Sequence, residues 1–181
     1  MESSKNRLNL ARLYFRKARA DLESAKHLIS FAQYANAVFL AQQCGEKPAK
    51  ATLALKNIEV REHVVSGYLA SEVVAFAPEA WEERVREVVR MLVALEEHSI
   101  RPRYPFVTAS RIWDPEKGYD KQAAEAAIVK AETILRDLEE FCESNLGYVP
   151  GMKKGNLTES LEEAIVLWMS TEPTTQGKKP R

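Results

Sequence analysis

The chain has 181 residues, 45 % of them hydrophobic and 29 % charged, with Lys plus Arg (26) matching Asp plus Glu (26). That is the composition of an ordinary soluble domain able to bury its own core. The zero net charge excludes a global pull toward nucleic acid or membrane, so an anion site would have to be a local patch. No run approaches the roughly 18 apolar residues of a membrane span and the N-terminus begins polar, which makes the cytoplasm the expected location.

Glycine is scarce and no segment alternates with period two for long, so the whole chain reads as helix. A first helix is expected over about residues 7–32, with Leu10, Leu13, Tyr14, Ala18, Leu22, Ala25, Leu28 and Ile29 recurring every three or four positions. After a short break at Gln33-Tyr34 a second helix folds back and ends near Asn57. At about 100° per residue, its small side chains Ala37, Ala41, Gly45, Pro48 and Thr52 share one stripe. Gln43, Glu46, Lys47 and Lys50 share nearly the opposite one. The small stripe admits another helix at close range. Pro48 removes a ladder bond and crowds the carbonyl of Cys44, which with Gly45 predicts a kink or bulge at residues 44–48.

A third helix is expected over about 61–74, with Val64, Val65, Tyr68, Leu69 and Val73 inward. AFAP then connects to a fourth over about 78–97, whose apolar face is Trp81, Val85, Val88, Val89, Leu92 and Leu95. Pro102 and Pro105 forbid its continuation, and residues 99–119 form the longest irregular segment. The fifth helix, about 120–144, carries Ala124, Ala127, Ile128, Ala131, Ile134, Leu135, Leu138 and Phe141. Beyond Pro150 a GMKKG linker precedes a short amphipathic helix with Leu161, Ile165, Leu167 and Trp168, and then a polar tail. The expected fold is all-α, an antiparallel up-and-down bundle of four to five helices over residues 1–148, with an extra C-terminal helix within 149–181.

Two features bear on function. On the second helix, Glu46 and Lys50 are spaced as a favourable i, i+4 ion pair, which fits a merely solvated face. The same stripe also fits an anion site, with Lys47 and Lys50 as cations and Gln43 supplying directional hydrogen bonds. The segment from His98 to Arg111 brings Arg101, Arg103 and Arg111 together with Tyr104, a set able to hold phosphate and stack a base. Its plain alternative is an Arg103–carboxylate pair and a tyrosine plugging the bundle end.

Cys44 and Cys142 form no CxxC pair and read as small buried thiols in a reducing compartment. His27, His63 and His98 show no ligand spacing, so neither a metal nor any other cofactor is expected. His98, at a helix C-terminus, would be favoured by the dipole when protonated. No nucleophile elbow, P-loop or dinucleotide fingerprint occurs.

The order of ARADLESAKHLI, QYANAVFLAQQCGEKPAKATL, a His-led helix, RYP and AEAAIVKAETILRDL resembles the HEPN domain family over about residues 8–144. The helix-two block is similar to that family's Q-A-A-E-K-A-x-K pattern. Arg103-Tyr104-Pro105 is similar to the RYP element of its stand-alone archaeal and bacterial members. The resemblance implies a helical bundle, usually a homodimer, often paired with a minimal nucleotidyltransferase as toxin and antitoxin. In many members an Arg-x4–6-His motif serves metal-independent RNA cleavage.

Here that motif is absent. Arg90 precedes His98 by seven intervening residues, as Arg19 precedes His27, and no histidine follows Arg101 or Arg103. Cys44, Gly45 and Pro48 also stand where the family pattern expects alanine. The expectation is therefore a non-catalytic module binding a nucleotide, an RNA end or a nucleotidyltransferase through Gln43, Glu46, Lys47, Lys50, Arg101, Arg103 and Tyr104. Two alternatives stand beside it. One is a divergent ribonuclease toxin using Arg103, His98 and Tyr104. The other is a purely structural homodimer in which the C-terminal helix docks on a neighbour.

Overall fold

A computed structural model of the chain describes residues 2–109 and 112–148; the expected C-terminal helix and Arg111 lie outside them. Four long helices make an antiparallel up-and-down bundle: α1 (Glu2–Ser30), α2 (Tyr34–Leu55), α4 (Glu79–Glu96) and α6 (Lys121–Asn145). Between α2 and α4 lie the short α3 (Ser66–Glu72) and a tight turn, Val74–Phe76. Between α4 and α6 lie a small antiparallel hairpin, β1 (Phe106–Val107) with β2 (Ile112–Trp113), and the one-turn α5 (Pro115–Gly118). Phe106 pairs with Trp113 and Val107 with Ile112. These strands are too short to show any alternation in the sequence, which is why the segment reads as irregular there. No helix among the described residues is long and apolar enough to cross a membrane.

The central element is α2. Its small stripe is wholly buried, and a methyl group on Gly45 would come 2.9 Å from Leu95 Cδ1 of α4 and 3.3 Å from Ile134 Cδ1 of α6. The absent side chain is thus what lets two neighbouring helices reach the axis of a third. The helix runs through Pro48 without interruption, and the Thr52 hydroxyl donates to the Pro48 carbonyl at 2.9 Å. On α6 every expected core position is buried, as are Val85, Val88, Leu92 and Leu95 on α4.

Two expectations need correction. On α1 the buried seam is Ala11, Phe15, Ala18, Leu22 and Ala25, whereas Leu10 and Leu13 are exposed. Small residues at the seam allow α1 to lie close against α2, and the Phe15 ring lies 4.8 Å from that of Tyr148, tilted by 44°. The third helix is shorter than its apolar pattern, and Val64 and Tyr68 are exposed while Val65, Leu69 and Val73 are buried. Its start is set from a distance. Glu96 Oε1 accepts the amides of Val65 (2.6 Å) and Ser66 (2.8 Å), and the Ser66 hydroxyl donates to Glu96 Oε2 at 2.6 Å. A carboxylate at a helix N-terminus satisfies donors that the helix itself leaves open. His63 consequently lies before the helix rather than within it.

Candidate functional site: the loop at one end of the bundle

The polar stripe of α2 faces the protein more than the solvent. Lys47 Nζ lies 2.8 Å from Asp21 Oδ2 of α1, and Lys17 Nζ lies 2.7 Å from Asp21 Oδ1. Lys47 also donates to the Gln43 side chain at 3.0 Å. One turn on, Lys50 pairs with Glu46 at 2.9 Å, with the two side chains only 10 % and 6 % exposed. Glu46 further accepts from Gln42 (3.1 Å) and Gln43 (3.3 Å) and meets His63 Nδ1 at 3.2 Å. The i, i+4 pair expected from the sequence is present, but on a buried seam. Any anion reaching Lys47 or Lys50 would have to displace a carboxylate already in place.

The loop after α4 is arranged differently. Arg101, Arg103 and Tyr104 are exposed, and no Asp, Glu or Lys occurs from His98 to Trp113. The Arg103 guanidinium lies 5.0 Å from the ring centre of Tyr104 and 5.0 Å from that of Phe39, and its Nη2 donates to the Tyr104 hydroxyl at 2.8 Å. Phe39 belongs to α2, one turn before Gln43, so the loop packs at the N-terminal extension of the polar stripe. Among the described residues no carboxylate pairs with Arg101 or Arg103, and the remaining guanidinium donors are uncommitted.

Trp113 holds the loop in shape. Its indole Nε1 donates to the Arg101 carbonyl at 2.9 Å, its ring stacks on Phe106 at 5.9 Å, and it meets Tyr119 edge-on at 5.9 Å. A methyl group on Gly118 would come within 2.3 Å of the indole ring, so the close approach as it stands needs glycine.

His98 joins the same assembly through Tyr119, with Nδ1 2.9 Å from the phenol oxygen and the rings edge-to-face at 5.5 Å. Burial pushes the His98 imidazole below its ordinary pKa. Glu97 opposes that effect, and the charges of Arg101 and Lys130 add to it. Burial likewise raises the Tyr119 phenol to about 12. The helix dipole, expected to favour a protonated His98, is therefore outweighed, and the ring is neutral near neutral pH. Its hydrogen bond goes to Tyr119, while Arg103 bonds to Tyr104.

Chemically, the loop offers two exposed guanidiniums, one tyrosine ring and one neutral imidazole on a braced backbone. Arg101, Arg103, Tyr104 and His98 stand out in the sequence, whereas Phe39, Trp113 and Tyr119 join them only through packing. An aromatic residue within an apolar helix block carries no mark that distinguishes it from core. Trp113 and Tyr119, flanking Gly118, were the available signal.

A model of the family described as the HEPN domain matches residues 11–141. A Methanocaldococcus jannaschii protein named "Putative toxin MJ1304" is 35 % identical over 148 residues, covering 81 % of this chain and 97 % of that protein. The crystal structure of TT1696 from Thermus thermophilus is similar with a TM-score of 0.57 and 28 % identity, covering 74 % of this chain and 98 % of that one. That of ST0689, an archaeal HEPN homologue, is similar with a TM-score of 0.55 and 28 % identity, covering 72 % and 95 %.

Proposed function

This chain belongs to the HEPN domain family, and on that premise we propose that it is a non-catalytic binding module whose Arg101, Arg103 and Tyr104 take a nucleotide or an RNA end. The observation that carries this reading is the pair of exposed guanidiniums, without a carboxylate partner among the described residues, in a segment without acidic residues and braced by aromatic rings. Arginine suits phosphate because its planar fork matches two oxygens at once, and an exposed tyrosine face suits a base. Gln43, Glu46, Lys47 and Lys50 support the site by tying α2 to α1 and to the connection before α3. In the cell the module acts as the companion of a minimal nucleotidyltransferase in a two-component, toxin–antitoxin-like pair, and as a homodimer. The family resemblance supports that setting, and the word "toxin" in the name of the Methanocaldococcus relative supports its toxin–antitoxin character alone.

Calorimetric titration with adenosine 5′-monophosphate and a short oligoribonucleotide tests the binding reading. The Arg101→Ala/Arg103→Ala double variant is expected to lose at least about ten-fold in affinity, one charge-assisted contact being worth roughly 1.5–3 kcal/mol. Unchanged affinity would remove the site assignment.

A second reading, RNA cleavage, is favoured by one observation: the His98 imidazole, three residues before Arg101, is held 2.9 Å from the Tyr119 phenol oxygen. A neutral imidazole beside a guanidinium is a general base beside a stabiliser of developing phosphate charge. Incubating total RNA with the protein and a chelator separates the two readings. Cleavage that disappears in His98→Ala supports the ribonuclease; no cleavage, or cleavage indifferent to that change, leaves the binding module.

A further inference from the structure

We infer that Phe39 is the positioning residue of the Arg103 site, fixing the guanidinium so that its N–H edge reads a terminal phosphate group. This deepens the proposed function and rests on it. Tyr104 follows Arg103 directly in the chain and moves with it, so the contact between them cannot tell the loop where the bundle is. Phe39 can, because it stands half-buried on α2, the most enclosed helix of the bundle, and its ring centre is 5.0 Å from the Arg103 guanidinium carbon. The quadrupole of a ring face attracts a cation held over it, and the contact leaves in-plane donors open.

The second anchor lies at the other side of the turn. Arg103 N donates to the Ile100 carbonyl at 3.0 Å, and Trp113 holds the Arg101 carbonyl at 2.9 Å. The backbone of the turn is thus fixed through Trp113 and the side chain of Arg103 through Phe39. A guanidinium referenced to a helix in this way presents a fork of constant direction, which matches the paired oxygens of a phosphate monoester. An ammonium at the same place would still be attracted by the ring face but would act as a point charge without the paired donors of the fork.

The test measures binding of adenosine 5′-monophosphate, with adenosine as the uncharged control, to the full chain and its variants. Phe39→Leu keeps apolar bulk but removes the ring; it is expected to weaken the nucleotide about five-fold with little change in melting temperature. Phe39→Tyr is expected to bind as the parent does and Phe39→Trp at least as tightly, which a purely space-filling role would not produce. Arg103→Lys is expected to lose most of the affinity that Arg103→Ala loses, because the charge stays but the fork is gone. If Phe39→Leu binds like the parent while Arg103→Ala does not, the positioning role is wrong and the nucleotide site stands. Equal loss in Phe39→Leu and Phe39→Tyr also overturns the role. If Arg103→Ala binds like the parent, or the parent binds no nucleotide, the site itself falls and this inference with it.

Discussion

Lys47 of α2 reaches Asp21 of α1 with 2.8 Å between Nζ and Oδ2, across 26 positions of sequence (47 minus 21) and a helical turn-around. Asp21 is 3 % exposed, so this is an interior ion pair between the two helices that share the largest seam. Breaking one side of such a pair strands the other charge in a poorly solvated place. Lys47→Met is expected to destabilise the fold by about 2 kcal/mol in denaturant unfolding, less than the roughly 3–5 kcal/mol of a fully isolated pair, because Lys17 still holds Asp21. Nucleotide affinity is expected to fall by no more than about two-fold, since the lysine supports the site only through the seam between α1 and α2 and is occupied before any ligand arrives.

The depressed pKa of His98 makes stability depend on pH in a defined direction. The unfolded chain takes up a proton near the ordinary value of 6.5, while the folded chain resists it to lower pH. Between those two values the unfolded state binds more protons, so stability rises with pH there and is lost as pH falls through the window. Melting temperatures measured from about pH 7.5 downward should therefore fall more steeply for the parent than for His98→Gln. Equal slopes would mean that the imidazole is not shielded by Tyr119 and the loop.

Gly118→Ala places a methyl group 2.3 Å from the Trp113 ring. The indole must swing away and release the Arg101 carbonyl, at an expected cost of about 1–3 kcal/mol for overpacking. The Trp113 indole N–H resonance should move and nucleotide affinity should fall, although residue 118 contacts no proposed ligand group. A variant with an unmoved resonance would count against the brace.

Ala32 ends α1 with φ +54, and the amides of Ala32 and Gln33 return to Ile29 and Leu28 at 3.1 Å each. That is the helix-ending turn in which glycine is usual, because a Cβ in the left-handed region costs about 1 kcal/mol. The residue is exposed, so its methyl group contributes no packing. Ala32→Gly is expected to raise the melting temperature by several degrees, roughly 1 kcal/mol in a domain of this size.

The legible parts of this protein were those with local periodicity. The core faces of α4 and α6 and the small stripe of α2 follow from residues that repeat every three or four positions, and helix geometry translates such spacing directly into a buried face. The errors fall where two faces compete or where a partner lies far off in the chain. Leu10 and Leu13 look more apolar than Ala11 and Ala18, yet the alanines are buried because close approach between helices, not hydrophobicity alone, selected the seam. The start of α3 belongs to Glu96, which no reading of residues 61–66 could reveal.

Gln43, Glu46, Lys47 and Lys50 show where that boundary lies. Helical spacing alone placed them on one stripe with an i, i+4 ion pair, and the RPRYP segment alone announced an arginine–tyrosine loop broken by proline. Which charges remained available was decided only by the tertiary structure. Asp21 lies against Lys47, Glu46 is enclosed with Lys50, and Phe39 stands under Arg103 while no carboxylate among the described residues does. A charge becomes a binding group or a structural one according to what packs beside it, and that neighbour is chosen by helix–helix contact rather than by position in the chain.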